Sequence, residues 1–305
     1  MPDHRYLTAD VFTDTIFGGN QLAIFPDASG IREDHLLPIA REFNYSETTF
    51  VYPPRDAAHT RRVRIFTPGG EVPFAGHPTV GTAHALAATG AIRLEARGDT
   101  RIVLEEEVGP VPVRIRTDGG APVFAQLSVA KLPEIGPPPP PRMVLADILG
   151  LEDEDLLGAE WLPQGVSCGL PFLFVPLRSR AAVARARINL APWEKHLANA
   201  WASMIFVFAR DAERPGSDIR ARMFAPGISV PEDPATGSAC AALGGYLAAR
   251  DDRQDGLLRW VVEQGFEMGR PSILEVEADR SGGEVTGIRV GGSTVMVSEG
   301  VMRVP

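Results

Sequence analysis

A ten-residue pattern occurs twice in this chain, and any fold must accommodate both copies. The first is Arg64-Ile-Phe-Thr-Pro-Gly-Gly-Glu-Val-Pro73, and the second is Arg222-Met-Phe-Ala-Pro-Gly-Ile-Ser-Val-Pro231. Arg, Phe, Pro, Gly, Val and Pro recur at the same places, with a hydrophobic residue after each Arg. Beyond each copy, two residues later in the first, a further match appears: His77-Pro-Thr-Val-Gly-Thr-Ala83 beside Asp233-Pro-Ala-Thr-Gly-Ser-Ala239. A strand-like run, a Pro-Gly turn and a Pro that opens a small-residue helix make one supersecondary unit. Its recurrence at about half the chain's length predicts two halves of one design. Such halves are expected to face each other, with equivalent residues converging on one cleft. At the equivalent position stand His77 and Asp233.

The remaining residues divide accordingly. Residues 1–130 read as an N-terminal half, with the last strand, 294–305, available to complete its sheet. Residues 142–293 read as the C-terminal half. The stretch 131–141 reads as a linker, because six prolines fall between Pro133 and Pro141 with no strand pattern. Strands are expected at Tyr6–Phe12, Gln21–Phe25 and Thr48–Tyr52, with Glu47 opening the last. Three more are expected between residues 101 and 129. Arg32–Phe43 carries a helical stripe, and Pro78–Ala88 is a helix punctuated by an early Pro and by Gly90 past its end. In the second half, residues 169–175, 202–208, 257–264, 272–277 and 287–291 read as strands, and Met143–Leu149 and Pro234–Ala249 as helices. The Glu105-Glu-Glu107 run reads as a solvated turn.

Composition removes several function classes. No apolar run reaches the ~18 residues of a membrane helix, and residues 1–6 lack a signal peptide's apolar core, so a cytoplasmic protein is expected. The net charge is −9, and the Arg61-Arg62-Val-Arg64 cluster stands alone, which argues against nucleic acid as a partner. Cys168 and Cys240 are too few for a disulfide framework or a four-ligand metal site. The sequence has two lysines, Lys131 and Lys195, neither in a setting that activates an amine for a Schiff-base cofactor. Neither a dinucleotide-binding glycine turn nor a phosphate-binding loop is present.

What remains is chemistry by ordinary side chains. A small-residue helix lets strands approach closely, and its N-terminus presents unpaired N–H groups and partial positive charge. Two such ends, at Gly76 and at Gly237–Ser238, could cradle a substrate carboxylate. Asp233 could act simply as an N-cap; His77, a poor cap, is harder to explain that way. His77 and His84 lie two helical turns apart, roughly 10.5 Å, too far to share a metal bound through ~2 Å bonds. Glu47 follows Ser46 in an otherwise aromatic and β-branched stretch. A carboxylate at the mouth of a buried strand can have a raised pKa and act as a general base; an exposed strand-end Glu is the ordinary alternative.

Over nearly its whole length the sequence resembles the phenazine-biosynthesis PhzF-like isomerases of the diaminopimelate epimerase-like superfamily. The resemblance rests on Asp10-Val-Phe-Thr with Gly19-Asn20, Ser46-Glu-Thr-Thr-Phe-Val51, Phe66-Thr-Pro and Glu71-Val-Pro-Phe-Ala-Gly-His-Pro-Thr79. It rests also on Glu232-Asp-Pro-Ala-Thr-Gly-Ser-Ala239 and on Gln264-Gly through Gly269-Arg-Pro-Ser272. It implies an α+β fold of two pseudo-symmetric domains, each a strongly curved, mostly antiparallel sheet around a central helix. It implies a homodimer that works without cofactor on a small carboxylate-bearing molecule. The family's acid/base glutamate maps to Glu47, and its polar partners map to His77 and Asp233. Asn20, Ser46, Gly76, Gly237 and Ser238 fall at substrate-binding positions. Related racemases use two thiols, but Ala75 stands at the first such place and the Asp233 motif lacks the second.

The expectation is therefore an isomerase that moves a proton by general acid/base catalysis. An epimerase using Glu47 and Asp233 as two bases is the alternative within enzymes, and a non-catalytic ligand-binding protein the alternative outside them. The resemblance does not fix the substrate or imply a phenazine pathway.

Overall fold

The computed structural model describes residues 1–95, 98–228 and 230–305. Ser229, inside the second copy of the pattern, lies outside the described residues. The chain forms two compact units, Met1–Ala130 with Gly291–Pro305, and Lys131–Val290.

In the first unit the order is β1 (Asp3–Val11), β2 (Asn20–Phe25), α1 (Glu33–Phe43), β3 (Glu47–Tyr52), β4 (Arg61–Thr67) and β5 (Gly70–Val72). Then follow α2 (Gly76–Ala88), β6 (Thr100–Glu106), β7 (Gly109–Asp118) and β8 (Ala121–Ser128). Neighbouring strands pair antiparallel, except β2 with β3 and β4 with β6, which run parallel. The sheet is nearly all buried along α2, whose residues Gly76 to Ala87 are all buried too. Ala, Gly and Thr make up most of that helix, and their small side chains let strands close in around it. α1 covers the opposite face of the sheet. Leu36 and Ile39 pack there on Phe25, Phe50 and Phe66, with Phe25 and Phe50 stacked at 5.2 Å. Asn44, in left-handed backbone at φ 52°, ends α1 and turns the chain toward β3.

The second unit repeats this plan. It contains β9 (Glu134–Ile135), α3 (Arg142–Leu149), β10 (Gln164–Ser167), β11 (Pro171–Pro176), α4 (Arg180–Arg185), α5 (Leu190–His196) and β12 (Met204–Ala209). β13 (Ile219–Ala225), β14 (Val230–Asp233), α6 (Gly237–Ala248), β15 (Gly256–Gln264), β16 (Ser272–Ser281) and β17 (Glu284–Gly292) follow. β11 with β12 and β13 with β15 are the parallel pairs; β10 with β11, β12 with β13, β13 with β14 and β15 with β16 are antiparallel. α6 is buried along Ala239–Ala248. α3, α4 and α5 cover the other face, where Leu145, Val183 and Trp193 pack on Leu173, Ile205 and Phe224. Inside the proline-rich stretch, Glu134 and Ile135 pair with Ser167 and Val166: two residues of the expected linker form an edge strand.

The duplication extends to single side chains. Arg64 reaches Glu71 through two hydrogen bonds of 2.7 and 2.6 Å and lies 5.2 Å from the Phe66 ring. Arg222 does the same with Glu232, at 2.7 and 2.8 Å, and lies 4.8 Å from Phe224. Arg62 pairs with Glu105 across the first parallel β-pair and Arg220 with Glu263 across the second. Glu105 accepts from the amides of Arg55 and Asp56, and Glu263 from those of Glu213 and Arg214.

β18 (Thr294–Arg303) returns to the first unit and pairs antiparallel with β1 from Asp3↔Arg303 to Val11↔Thr294. Among the described residues, no helix is long and apolar enough to cross a membrane.

Glu105 and Glu106 are not part of a solvated turn. β6 continues through both, and both are buried. The two amides that Glu105 accepts hold its carboxyl down at about 2. Burial raises Glu106 to about 8. The Thr79 hydroxyl lies 2.8 Å from the Ala75 carbonyl and 2.6 Å from Glu106 Oε1. One hydroxyl proton cannot serve both acceptors, and the carbonyl cannot donate. A protonated Glu106 donating from Oε1 to Thr79 resolves that conflict, with Glu106 Oε2 left buried and without a hydrogen-bond partner.

Candidate active site

In the first unit, three expected site residues meet at the start of α2. Gly19, in left-handed backbone at φ 60°, turns the chain so closely that a Cβ there would lie 2.3 Å from the Val11 carbonyl oxygen. That corner brings Asn20 opposite Val11 at the start of β2. Glu47 opens the parallel neighbour β3, in register with Leu22. His77 is the second residue of α2 and is almost fully buried.

The Asn20 amide nitrogen lies 3.3 Å from His77 Nδ1. On the other side of the ring, Nε2 lies 3.3 Å from Glu47 Oε2. Burial pushes His77 down to about 3, while the Gln21 backbone carbonyl, accepting from the ring, pulls weakly the other way. The imidazole is therefore neutral at physiological pH and has one proton for two nitrogens. Nε2 makes no hydrogen bond, so Gln21 and Asn20 both act at Nδ1. The Asn20 N–H donates and favours the proton on Nε2, facing Glu47. The Gln21 carbonyl accepts and favours the other tautomer. With its proton on Nδ1 the ring presents a bare Nε2 to Glu47; a proton accepted there makes it an imidazolium, which burial disfavours and which therefore hands the proton back readily.

In the second unit, Asp233 ends β14 and is buried. It is not the N-cap of α6. That position belongs to Thr236, and the helix begins at Gly237 rather than at Pro234. The Thr236 hydroxyl donates to Asp233 Oδ2 at 2.5 Å. Gly237 is buried in the first helical turn, and Ser238 beside it is half-buried. In the first unit Gly76 is buried at the start of α2, and Ser46, just before β3, is half-buried.

Sequence reasoning missed Thr236 and Gln264. Gln264 was visible only as part of a Gln-Gly dipeptide, and in the fold it bonds the Asp233 carbonyl and Thr236. Burial raises both thiols, Cys168 to about 12 and Cys240 further; for Cys240 the Asp233 charge adds to the effect. Neither cysteine is set up as a thiolate base. Among the described residues, no group of three or more His, Cys, Asp or Glu side chains is placed to hold a metal ion.

Residues 9–300 match the family model described as phenazine biosynthesis-like protein. An uncharacterized isomerase of Mesorhizobium japonicum is 39% identical, over 98% of this chain and 99% of that protein. The trans-2,3-dihydro-3-hydroxyanthranilate isomerase of Pseudomonas aeruginosa is 34% identical, over 97% and 98%. Among solved structures, a Bacillus anthracis phenazine biosynthesis protein of the PhzF family superposes with a TM-score of 0.89 at 25% identity, covering all of both chains.

Proposed function

Since the chain belongs to the phenazine biosynthesis-like family, whose relatives include named isomerases, we propose that it isomerises a small carboxylate-bearing substrate by moving a proton between carbons. Glu47 is the base in this reading. It takes a proton from carbon next to an unsaturated or carbonyl system and returns it elsewhere. His77 relays or shares that proton, and Asp233 is a second polar partner. The first turn of α2 offers backbone N–H groups to the carboxylate. The reaction needs no cofactor, because the chain supplies both the base and the relay.

The observation that carries this reading is the 3.3 Å approach of Glu47 Oε2 to His77 Nε2 on a buried, uncharged imidazole. A neutral ring can receive a proton from Glu47 and return it, which an imidazolium cannot do. A structural Glu at a strand end has no need of such a neighbour.

The test is isotope exchange in deuterated water. The probes are trans-2,3-dihydro-3-hydroxyanthranilate, the compound named for the Pseudomonas aeruginosa relative, and a panel of small unsaturated carboxylates. The wild-type protein is expected to exchange one substrate C–H and shift a double bond, with activity surviving dialysis against a chelator. Glu47→Gln keeps the shape and is expected to lose at least ~10²-fold in rate while remaining folded. Exchange at the wild-type rate in folded Glu47→Gln removes Glu47 as the base. Inversion of one centre without movement of the double bond makes the protein an epimerase instead.

A further inference from the structure

Gln264 ends β15 with no exposed surface. Gly265 follows in left-handed backbone at φ 78°. A Cβ on it would lie 2.4 Å from the Arg270 carbonyl oxygen and 2.5 Å from that of Pro234. The Gln264–Gly265 corner is thus built directly against the segment that begins at Asp233.

The Gln264 amide is used at both ends. Oε1 accepts from the Thr236 backbone N–H at 3.1 Å. Nε2 donates to the Asp233 backbone carbonyl at 2.8 Å and to Thr236 Oγ1 at 2.9 Å. This orientation is forced, because a backbone N–H can only donate and a backbone carbonyl can only accept. Since Nε2 brings a proton to Thr236 Oγ1, the hydroxyl's own proton is directed elsewhere. It goes to Asp233 Oδ2. A hydrogen bond donated to a carboxylate favours the ionised form and fixes the oxygen that receives it.

The charged surroundings leave that direction intact. Arg222 and Glu232 hold each other. Cys240, on α6, is a neighbour whose thiol stays protonated through burial and the nearby Asp233 charge. In the first unit the residue in the register of Gln264 is Glu106, one place beyond the Glu105 that corresponds to Glu263. A protonated Glu106 there bonds Thr79, and no side-chain amide sets the direction of a chain ending on a carboxylate.

We infer that Gln264 and Thr236 are positioning residues for Asp233. Gln264 sets the direction of the Thr236 hydroxyl, and that hydroxyl holds the Asp233 carboxylate as a proton acceptor in one fixed orientation. The part that Asp233 plays in turnover rests on the function proposed above; its positioning does not.

Carboxyl-labelled aspartate, with the Asp233 signal assigned by its loss in Asp233→Asn, gives a readout independent of activity. Thr236→Val removes the hydroxyl at nearly constant shape. It is expected to raise the Asp233 titration midpoint by about one pH unit, the size expected for one lost hydrogen bond to a charged group. Thr236→Ser restores the hydroxyl and is expected to bring the midpoint back. With trans-2,3-dihydro-3-hydroxyanthranilate as substrate, kcat is expected to fall about tenfold in Thr236→Val, with KM within about twofold, and to recover in Thr236→Ser. An unmoved midpoint in folded Thr236→Val overturns the inference. Should that variant not fold, an unmoved midpoint in Gln264→Met overturns it equally. A wild-type protein that neither converts nor exchanges the substrate removes the proposed function for it, while the carboxyl titration still decides the positioning.

Discussion

Glu106 Oε1 lies 2.6 Å from the Thr79 hydroxyl, joining the end of β6 to the first turn of α2 through a carboxyl that burial raises to about 8. The folded protein keeps this proton at pH values where the unfolded chain, near the ordinary 4.5, has released it. Folded stability therefore falls as pH rises from about 4.5 to about 8 and is flat beyond.

Glu106→Gln removes that titration without removing the hydrogen bond, as Gln264 shows in the corresponding place of the second unit. Melting temperatures between pH 5 and 9 are expected to fall less in the variant, with the largest gain, several degrees, at pH 8 and above. Parallel melting curves across that range would show that Glu106 does not titrate with folding.

Acid should reveal the opposite kind of group. Burial pushes His84 down to about 4, so the folded state holds it neutral while the unfolded chain takes up a proton near 6.5. This contribution to stability is complete above 6.5 and is lost as pH falls toward 4. His84→Leu is expected to melt less steeply with acid between pH 6.5 and 4. A titration of the His84 ring followed by NMR, with a midpoint near 6.5 in the folded protein, would falsify the assignment.

Gly265→Ala should be among the more damaging single-methyl changes in the second unit. The residue would have to adopt left-handed backbone, which costs about 1–3 kcal/mol. Its new carbon would also press on two backbone carbonyls, neither of which can move as a side-chain tip can. A melting temperature lower by several degrees is expected, and an unchanged one contradicts the geometry of this corner.

The thiols give a chemical check. Cys168 and Cys240 are buried and held protonated. Native protein at pH 8 is expected to leave both unreacted with a disulfide reagent over the time in which the denatured chain reacts at both. Rapid reaction of either in the native state would show a thiolate that this fold does not provide.

The sequence made the duplication legible because its Arg, Phe, Pro and Gly each meet a backbone or packing demand that recurs in both units. Glu47 could be picked out as a polar residue in a run of aromatic and β-branched residues, and His77 because it stands where the other copy of the unit has Asp233 and is a poor helix cap. Glu105 and Glu106 were misread because three adjacent carboxylates look like a solvated turn. What makes them structural lies some fifty residues away for Glu105, at the Arg55 and Asp56 amides, and on another element for Glu106. Asp233 resembled a helix cap because Asp-Pro is a familiar opening. Thr236, which takes that position, is distinguished by its bonds to Gln264, 28 residues further on. The Glu134–Ile135 strand was hidden by the prolines around it, since edge pairing can be as short as two residues.

The return of β18 to β1 has a consequence for synthesis. The second unit is made of one unbroken stretch, Lys131–Val290, and can assemble as soon as that stretch has been released from the ribosome. The first unit cannot. Its β1 offers an unpaired edge, with Leu7, Ala9 and Val11 already committed to the interior, until β18 is translated after the entire second unit. The part of the protein that carries Glu47 and His77 is thus begun first and finished last. A chain stopped at residue 290 would carry the second unit's stretch whole and leave the first without its closing strand.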